Sequence, residues 1–220
     1  MPSAAIQARS KARQRKPAAR RGRAEGSAAR REAILSAALD EFSARGFAGT
    51  RIDDVARRAG VAKGTIYLHF KDKEALFQEL VRATLVPLVA ALEALPPIDV
   101  PVRAVLETFA ETFIREVYST RRRNVLRLVM TEGPRFPKLA EFHYRNVVER
   151  ALTAMRALLE RAQRRGELKH KGLLRFPQLV VAPGIVAIIW SGLFDRFAPL
   201  DVAAMMRAHL DVLFGEGDVA

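Results

Sequence analysis

TRIDDVARRAGVAKGTIYLHF, residues 50–70, is the stretch that decides the fold. Its apolar residues recur at helical spacing in two short runs, which Gly60 separates. Thr50-Arg51-Ile52-Asp53 has the form of a capping box, so Thr50 is predicted to begin the first helix. The spacing predicts a helix-turn-helix, whose second helix can enter the major groove of DNA.

The second helix of this pair is predicted over about residues 63–69. Ile66 and Phe70 are four residues apart and are expected to be its buried anchors. The outer face is left to small, basic and aromatic residues. Gly64 lowers the stability of such a helix by about 1 kcal/mol relative to Ala, and close approach of the backbone to DNA would explain its use.

Helices are also predicted before and after this pair. Ser27 is expected to cap a helix over 28–45, which Gly46 ends. Asp72 is expected to cap a fourth helix, with Lys73 in its first turn. A cation is unfavourable at a helix N-terminus, so an external anion is the partner expected for Lys73.

Residues 1–26 form a basic arm. Residues 1–31 carry ten Lys or Arg and one acid, a net charge of +9, whereas residues 32–80 sum to −1. The arm is rich in Ala and Arg and poor in large apolar residues, so disorder is expected. Two interpretations stay open for it: contact with DNA phosphates, or a solubilising tail with only non-specific affinity.

The segment from Arg31 to Val81, REAILSAALDEFSARGFAGTRIDDVARRAGVAKGTIYLHFKDKEALFQELV, resembles the N-terminal domain of the tetracycline-repressor (TetR) family. The resemblance implies a homodimeric, mostly repressive transcription factor of the cytoplasm with a ligand-responsive C-terminal domain. It implies no cofactor beyond an unknown small-molecule effector. One departure is Ala62, where the family often has a Ser or Thr helix cap.

The resemblance also implies contacts to double-stranded DNA, because the residues matching Thr65, Tyr67, His69 and Lys73 commonly touch phosphates or bases in the family. Each side chain has a simpler explanation, such as a packed ring for Tyr67 or a solvated face for Arg51. The complete set of predicted DNA-binding residues is Thr50, Arg51, Lys63, Gly64, Thr65, Tyr67, Leu68, His69 and Lys73.

The rest of the chain is predicted to be helical, so the fold class is all-α. An N-terminal three-helix helix-turn-helix domain over 27–72 is followed by a larger helical domain for ligand binding and dimerisation over 73–220, with a connecting helix from 73. The run LVVAPGIVAIIW, residues 179–190, is shorter than the ~20 residues of a membrane-spanning helix, so a buried helix is expected and no membrane contact. The helices near 176–194 and 201–214 are expected to pair in the homodimer.

A cavity for a small apolar or amphipathic ligand is expected among the C-terminal helices. Ordinary core packing is the alternative for each candidate residue. The predicted wall consists of Phe109, Phe113, Met130, Phe142, His143, Tyr144 and Trp190.

Three classes of function can be compared with the sequence. The favoured one is a repressor that binds a palindromic operator and is released by a hydrophobic effector. The alternative is a non-specific nucleic-acid-coating protein driven by the arm. An enzyme is not expected, because the chain has no Cys and its four histidines are scattered without the spacing of metal ligands.

Overall fold

The computed structural model describes residues 4–94 and 99–215, with the backbone alone over 4–25. All regular structure in these ranges is helical, as the sequence predicts. The chain divides into two compact units, Met1–Leu76, called the head below, and Phe77–Ala220, called the body. The division falls inside helix α4, Lys73–Glu93, which begins where the connecting helix is predicted.

Helix α1 runs over Ala4–Gly49 and differs from the prediction at its start. Disorder was expected over residues 1–26, yet the helix begins at Ala4. Ala and Arg are strong helix formers, so a composition too polar for a core still suits a helix. Ser27 lies inside α1, so its predicted role as a cap is wrong. Residues 1–3 and the arm's side chains lie outside the described part.

The head packs α1 against two short helices, α2 over Ile52–Ala59 and α3 over Lys63–His69. As predicted, Gly46 breaks α1 with a φ of 70°, a left-handed angle that glycine adopts without strain. Phe47 then turns back, and its ring stacks on that of Phe42, 5.7 Å between centroids. The fully buried side chains of this core include Ile34, Phe42, Val55, Ile66 and Leu76.

Two buried carboxylates join α1 to α2. Glu41 accepts a hydrogen bond from Arg58 Nε at 2.6 Å, and Asp54 accepts one from Arg45 at 2.9 Å. Arg45 also lies 3.3 Å from Glu41, and Arg57 pairs with Asp54. Removing one partner would leave a buried charge uncompensated, so the network fixes how the two helices pack.

Thr50 does not cap α2, and the capping-box prediction is wrong. Arg51 is the residue before the helix, and it makes no side-chain cap. The Thr50 hydroxyl turns back and donates to the carbonyls at the end of α1, 2.8 Å from Gly46 O and 3.0 Å from Glu41 O. A tertiary partner has therefore taken the hydroxyl that a local cap would have used.

The body contains seven further α-helices within the described ranges. Two of them continue into short π-helical segments, Ile114–Tyr118 and Tyr144–Val148. The α-helices are α5 Val102–Phe113, α6 Arg123–Glu132, α7 Pro137–His143, α8 Glu149–Arg164, α9 Gly172–Arg175, α10 Gln178–Leu193 and α11 Val202–Phe214.

Long-range polar contacts close the body around its core. Glu167 accepts a hydrogen bond from Val102 N at 2.7 Å and so caps the start of α5. Arg103 donates to Asp211 at 2.5 Å and also to the carbonyl of Gly215, which ties α5 to the end of α11. Desolvation opposes its charge, yet the carboxylates of Asp211 and Glu107 leave the pKa of Arg103 raised.

Helix α4 is the one described helix whose length and mean hydropathy of 1.5 would allow it to cross a membrane. Leu80, Val81, Leu85 and Val89 on α4 are buried inside the protein, which is the environment of a core helix. The apolar run of α10 is shorter than such a span.

Candidate nucleic-acid interface and ligand cavity

The outer face of α3 is exposed and mixed in character. Ile66 and Phe70 are buried, as predicted, and they fix which side of α3 points outward. On that outward side the Tyr67 side chain is 49% exposed and that of Leu68 is 83% exposed. Single exposed apolar residues are common on protein surfaces, but here an aromatic ring and an aliphatic chain lie side by side on a helix of seven residues.

Gly64 lies on the same face, and the head's packing does not explain it. A Cβ added at Gly64 would meet no atom within 4 Å. Its φ is not among the positive angles that favour glycine, so the backbone does not require it either. The property that glycine adds here is close access to the α3 backbone from outside.

Two predicted contact residues serve the head's own structure. Thr50 is only 1% exposed, so its side chain is withheld from the surface. Lys73 Nζ donates to Thr50 O at 2.9 Å and Ala48 O at 3.2 Å, and it lies 4.8 Å from the centre of the Phe47 ring. Carbonyls in the last turn of α1 and just after it therefore bind the ammonium group for which the sequence predicts an external anion as partner.

The cations beside α3 differ in their partners. Lys63 Nζ lies 2.9 Å from a carboxylate oxygen of Asp53, and the hydrogen bond to this carboxylate raises the pKa of Lys63. The Arg51 side chain is exposed and makes no hydrogen bond or ion pair with the described residues. Of the two, Arg51 can approach a phosphate without giving up an existing pair.

Thr65 and His69 lie at the edges of this face. Both are half-buried. Thr65 N donates to Ala62 O at 2.9 Å, so the backbone closes the first turn without the missing side-chain cap. The His69 ring lies 6.1 Å from that of Phe70. The structure thus brings Lys63, Gly64, Tyr67 and Leu68 to one exposed surface, with Thr65 and His69 at its margin.

The body contains a partly open cavity of about 260 Å³. Its wall is almost wholly hydrocarbon, and α4, α5 and α10 supply much of it. Among the described residues that line it, the polar side chains are those of Gln178, His143 and His209, and none is Asp, Glu, Lys or Arg. The cavity suits a molecule with a largely apolar body.

Four of the seven predicted wall residues line this cavity, namely Phe109, Phe113, Met130 and His143. The other three lie elsewhere, so their prediction as wall residues is corrected. Phe142 packs under the Arg82 guanidinium at 5.2 Å, and Tyr144 is 52% exposed. Trp190 donates through its indole N–H to Ala198 O at 2.6 Å, which holds its ring against Phe194.

His143 is the most unusual polar group of the wall. Its Nδ1 is buried and has no hydrogen-bond partner among the described residues. Desolvation lowers the pKa of His143 to about 4, so the ring is neutral near pH 7. It ends α7 where the helix widens into a π-helical segment, a feature that recurs at functional sites.

Pro183 explains the position of His209. A proline inside a helix has no N–H, so the Leu179 carbonyl four residues earlier loses its usual donor. The His209 Nε2 lies 2.8 Å from Leu179 O and donates to it. Sequence reasoning missed His209, although a proline within an apolar helix is a signal that a donor must come from elsewhere.

Gly184 lets a ring of the wall approach α10. A Cβ at this position would lie 3.4 Å from two atoms of the Phe113 ring. Sequence reasoning also missed the contributions of α4 and α11. The aliphatic residues that these helices add to the wall are Leu85, Leu88, Val89, Met206 and Leu210.

One face of α10 is apolar and exposed. Leu179, Val186 and Leu193 recur at seven-residue spacing, and Ile185 and Ile189 lie beside them. Each of these side chains is at least 46% exposed. Val212 on α11 and Phe197 after α10 are also exposed. Contiguous apolar surface of this kind is typical of an interaction site.

Two family models match the chain. Residues 34–80 match that of the bacterial regulatory proteins of the tetR family, and residues 104–174 match the C-terminal domain of AefR-like transcriptional repressors. The HTH-type transcriptional regulator RutR of Escherichia coli K12 is 41% identical over 85 residues, which cover 39% of this chain and 40% of RutR. The chain therefore spans about two fifths of the length of this relative.

Solved structures share the fold over most of the chain. The SmeT–triclosan complex has a TM-score of 0.72 and 24% identity, covering 84% of this chain and 89% of SmeT. The regulator FadR from Bacillus subtilis in complex with stearoyl-CoA has a TM-score of 0.67 and 20% identity, covering 84% of this chain and 99% of FadR. At these identities the likeness establishes the common all-helical architecture.

Proposed function

The chain belongs to the TetR family of transcriptional regulators, and on this premise we propose that it is a homodimeric cytoplasmic repressor that a small molecule releases from a palindromic operator. The observation that carries the proposal is the outer face of α3. It presents Tyr67 and Leu68 around a glycine that the head's own packing does not require. A regulatory role without catalysis suits a chain built around this face.

The DNA side of the proposal uses α3 as the recognition helix. Tyr67 and the Gly64 backbone would lie against the major groove, with Arg51 and Lys63 beside phosphates. The Lys63 ammonium would have to break its ion pair with Asp53 to bind a phosphate, whereas the Arg51 guanidinium would form a new ion pair without breaking one. The nearby cations Arg45, Arg57 and Arg58 are ion-paired with carboxylates of the head, so this face contributes more to positioning than to long-range attraction.

The dimer in this proposal forms through the exposed apolar face of α10 together with α11. A second copy of the chain would cover this apolar face, because two helix-turn-helix heads about 34 Å apart meet successive major grooves. An obligate homodimer interface is large and apolar, and the described side chains of this face have that character. Changing Ile189 to Glu would place a charge in the interface and should yield monomers in sedimentation velocity. Ala157→Glu, at an exposed position on α8, is the matched control.

The ligand side of the proposal uses the cavity of the body. The solved structures of SmeT with triclosan and of FadR with stearoyl-CoA each contain a ligand with a large apolar part, a chlorinated aromatic molecule in the first and a long acyl chain in the second. The hydrocarbon wall here supports a ligand with a largely apolar body as well. Release would be a population shift toward a dimer whose heads no longer match the spacing of the grooves.

A footprint and an anisotropy titration test the DNA side. The full-length protein should protect two half-sites in the DNA flanking its own gene. Tyr67→Ala should weaken binding to that site about tenfold while leaving the fold intact, because the ring is half exposed. Tyr144→Ala, at a tyrosine of similar exposure in the body, is the control and should bind as the unchanged protein does. Equal protection of scrambled DNA would count against a specific repressor.

Non-specific binding through the arm is the second candidate, and the +9 charge of residues 1–31 favours it. Deleting residues 1–26 should make the dependence of affinity on salt less steep, because fewer counterions are released. If the slope is unchanged, the arm does not contact phosphates. If the deletion abolishes binding to operator and scrambled DNA alike, the arm is the principal binding element and α3 is not.

A further inference from the structure

We propose that the cavity of the body takes a small uncharged molecule with an apolar body and a single hydroxyl group, and that the imidazole of His143 binds this hydroxyl. The inference rests on the proposed function, since it names the class of molecule that would act as the release signal. It draws on the charge, the polar groups and the size of the cavity.

The wall excludes ionised ligands. Among the described residues that line the cavity, none carries an ionic side chain. A carboxylate or ammonium entering it would lose its hydration and gain no counter-ion, which is strongly unfavourable. His143 does not supply the missing positive charge, because burial lowers its pKa to about 4 and the ring is neutral near pH 7.

The wall also favours one polar group on the ligand. His143 Nδ1 is buried without a partner among the described residues, and a buried polar atom of this kind costs stability until it is paired. A neutral imidazole has one donor and one acceptor nitrogen. A hydroxyl both donates and accepts, so it can pair with the ring in either tautomer.

The other polar groups are less suited to this role. His209 already uses Nε2 to donate to Leu179 O, where Pro183 has removed the helical donor. Gln178 begins α10, and its side chain is exposed. His143 is therefore the wall group whose hydrogen bonding a ligand would complete.

The size of the cavity restricts the ligand further. Its 260 Å³ falls just below the range of about 300–1,000 Å³ typical of pockets for drug-sized molecules. A Cβ added at Gly184 would already lie 3.4 Å from the Phe113 ring, so little free space separates α5 from α10 and a larger molecule would have to push these helices apart. A substituted phenol or a short-chain alcohol has the right size.

Three probes of nearly equal shape test this class. Para-hexylphenol carries the hydroxyl, para-hexylanisole replaces its hydrogen with a methyl group, and para-hexylbenzoate carries a negative charge. Calorimetric titration of each into the full-length protein at neutral pH, without DNA, should give about tenfold tighter binding for the phenol than for the ether, and weaker binding still for the benzoate. Benzoate binding as tight as that of the phenol, or no binding of any probe, would overturn the proposal.

The His143→Leu variant tests whether the imidazole of His143 causes the preference for the phenol over the ether. The variant should bind phenol and ether about equally, whereas Tyr144→Leu, one residue further and off the wall, should keep the preference. A phenol preference that survives His143→Leu would overturn the role of His143. The ranking of the three probes on the unchanged protein holds or fails independently, even if His143→Leu does not fold. Operator binding is measured separately, so its failure would count against the repressor and not against the ligand class.

Discussion

The head and the body differ in how completely their buried polar groups are paired. In the head, Glu41, Asp54, Thr50 and Lys73 are hydrogen-bonded or ion-paired within the unit itself. Glu41 Oε2 is the buried atom without a hydrogen bond among the described residues of the head, and an ion pair with Arg45 at 3.3 Å compensates its charge. In the body, Nδ1 of His143, a residue that lines the cavity, has no hydrogen-bond partner among the described residues, and neither do Glu132 Oε2 and the Nε atoms of Arg127 and Arg161. The head therefore pairs its buried charges internally and acts through its surface, whereas the interior of the body leaves a polar group for a ligand.

The largest expected effect concerns His143 and pH. Its pKa is lower in the folded protein than in the unfolded chain, so the unfolded chain binds more protons between pH 6.5 and about 4. Above pH 6.5 the protonation of His143 does not reduce the free energy of unfolding. As the pH is lowered below 6.5 this free energy falls, by up to about 3 kcal/mol at pH 4.

Denaturant unfolding followed by fluorescence of Trp190, the single tryptophan, measures this change in the body. His143→Leu should remove most of the loss between pH 6.5 and 4, and the exposed His170→Leu should not. If both variants lose the same stability in acid, carboxylates elsewhere in the protein cause the loss. His143 would then not be evidence that the body pairs its buried polar groups less completely than the head.

The next effect tests the internal pairing of the head. Thr50→Val keeps the shape of the side chain but removes the hydroxyl that donates to the Gly46 and Glu41 carbonyls. The free energy of unfolding should fall by about 1–3 kcal/mol, because buried acceptors lose their donor. Circular dichroism during urea unfolding measures it, with the exposed Ser43→Ala as the control. No loss would mean that the hydroxyl does not hold the end of α1.

The smallest effect separates stability from function on α3. Gly64→Ala meets no neighbouring atom, so it should raise the stability of the head by about 0.5–1 kcal/mol. The added methyl group should nevertheless weaken operator binding if the backbone at this point approaches DNA. Stronger binding together with higher stability would show that no close approach occurs there.

The sequence predicts the local structure of the head well and its polar partners poorly. Gly46, Gly60 and the anchors Ile66 and Phe70 follow from spacing and glycine chemistry alone. The predicted Thr50 cap is wrong, and the partners of Lys73 are not anticipated, because both side chains bind carbonyls of α1 and the turn after it. Lys73 reaches Thr50 O from 23 positions later. Local motifs carry no information about such partners.

In the body, aromatic residues at helical spacing identify only part of the cavity. Phe109 and Phe113 line it, but Trp190 turns away because the Ala198 carbonyl accepts its indole N–H. The wall also needs α4 and α11, which lie far apart in the chain. A single sequence does not record which distant helices meet, so these contributions could not be predicted.

The contact of Arg103 on α5 with Asp211 on α11 has a consequence for how the chain folds during synthesis. The contact of Arg103 with Asp211 joins positions 108 residues apart, whereas the head's contacts span at most a few tens of residues. Local contacts form quickly and distant ones slowly. Domains commonly fold in order as the ribosome releases them. The head can reach its final structure while the body is still being made. The contact between Arg103 and Asp211 forms only after α11 has left the ribosome.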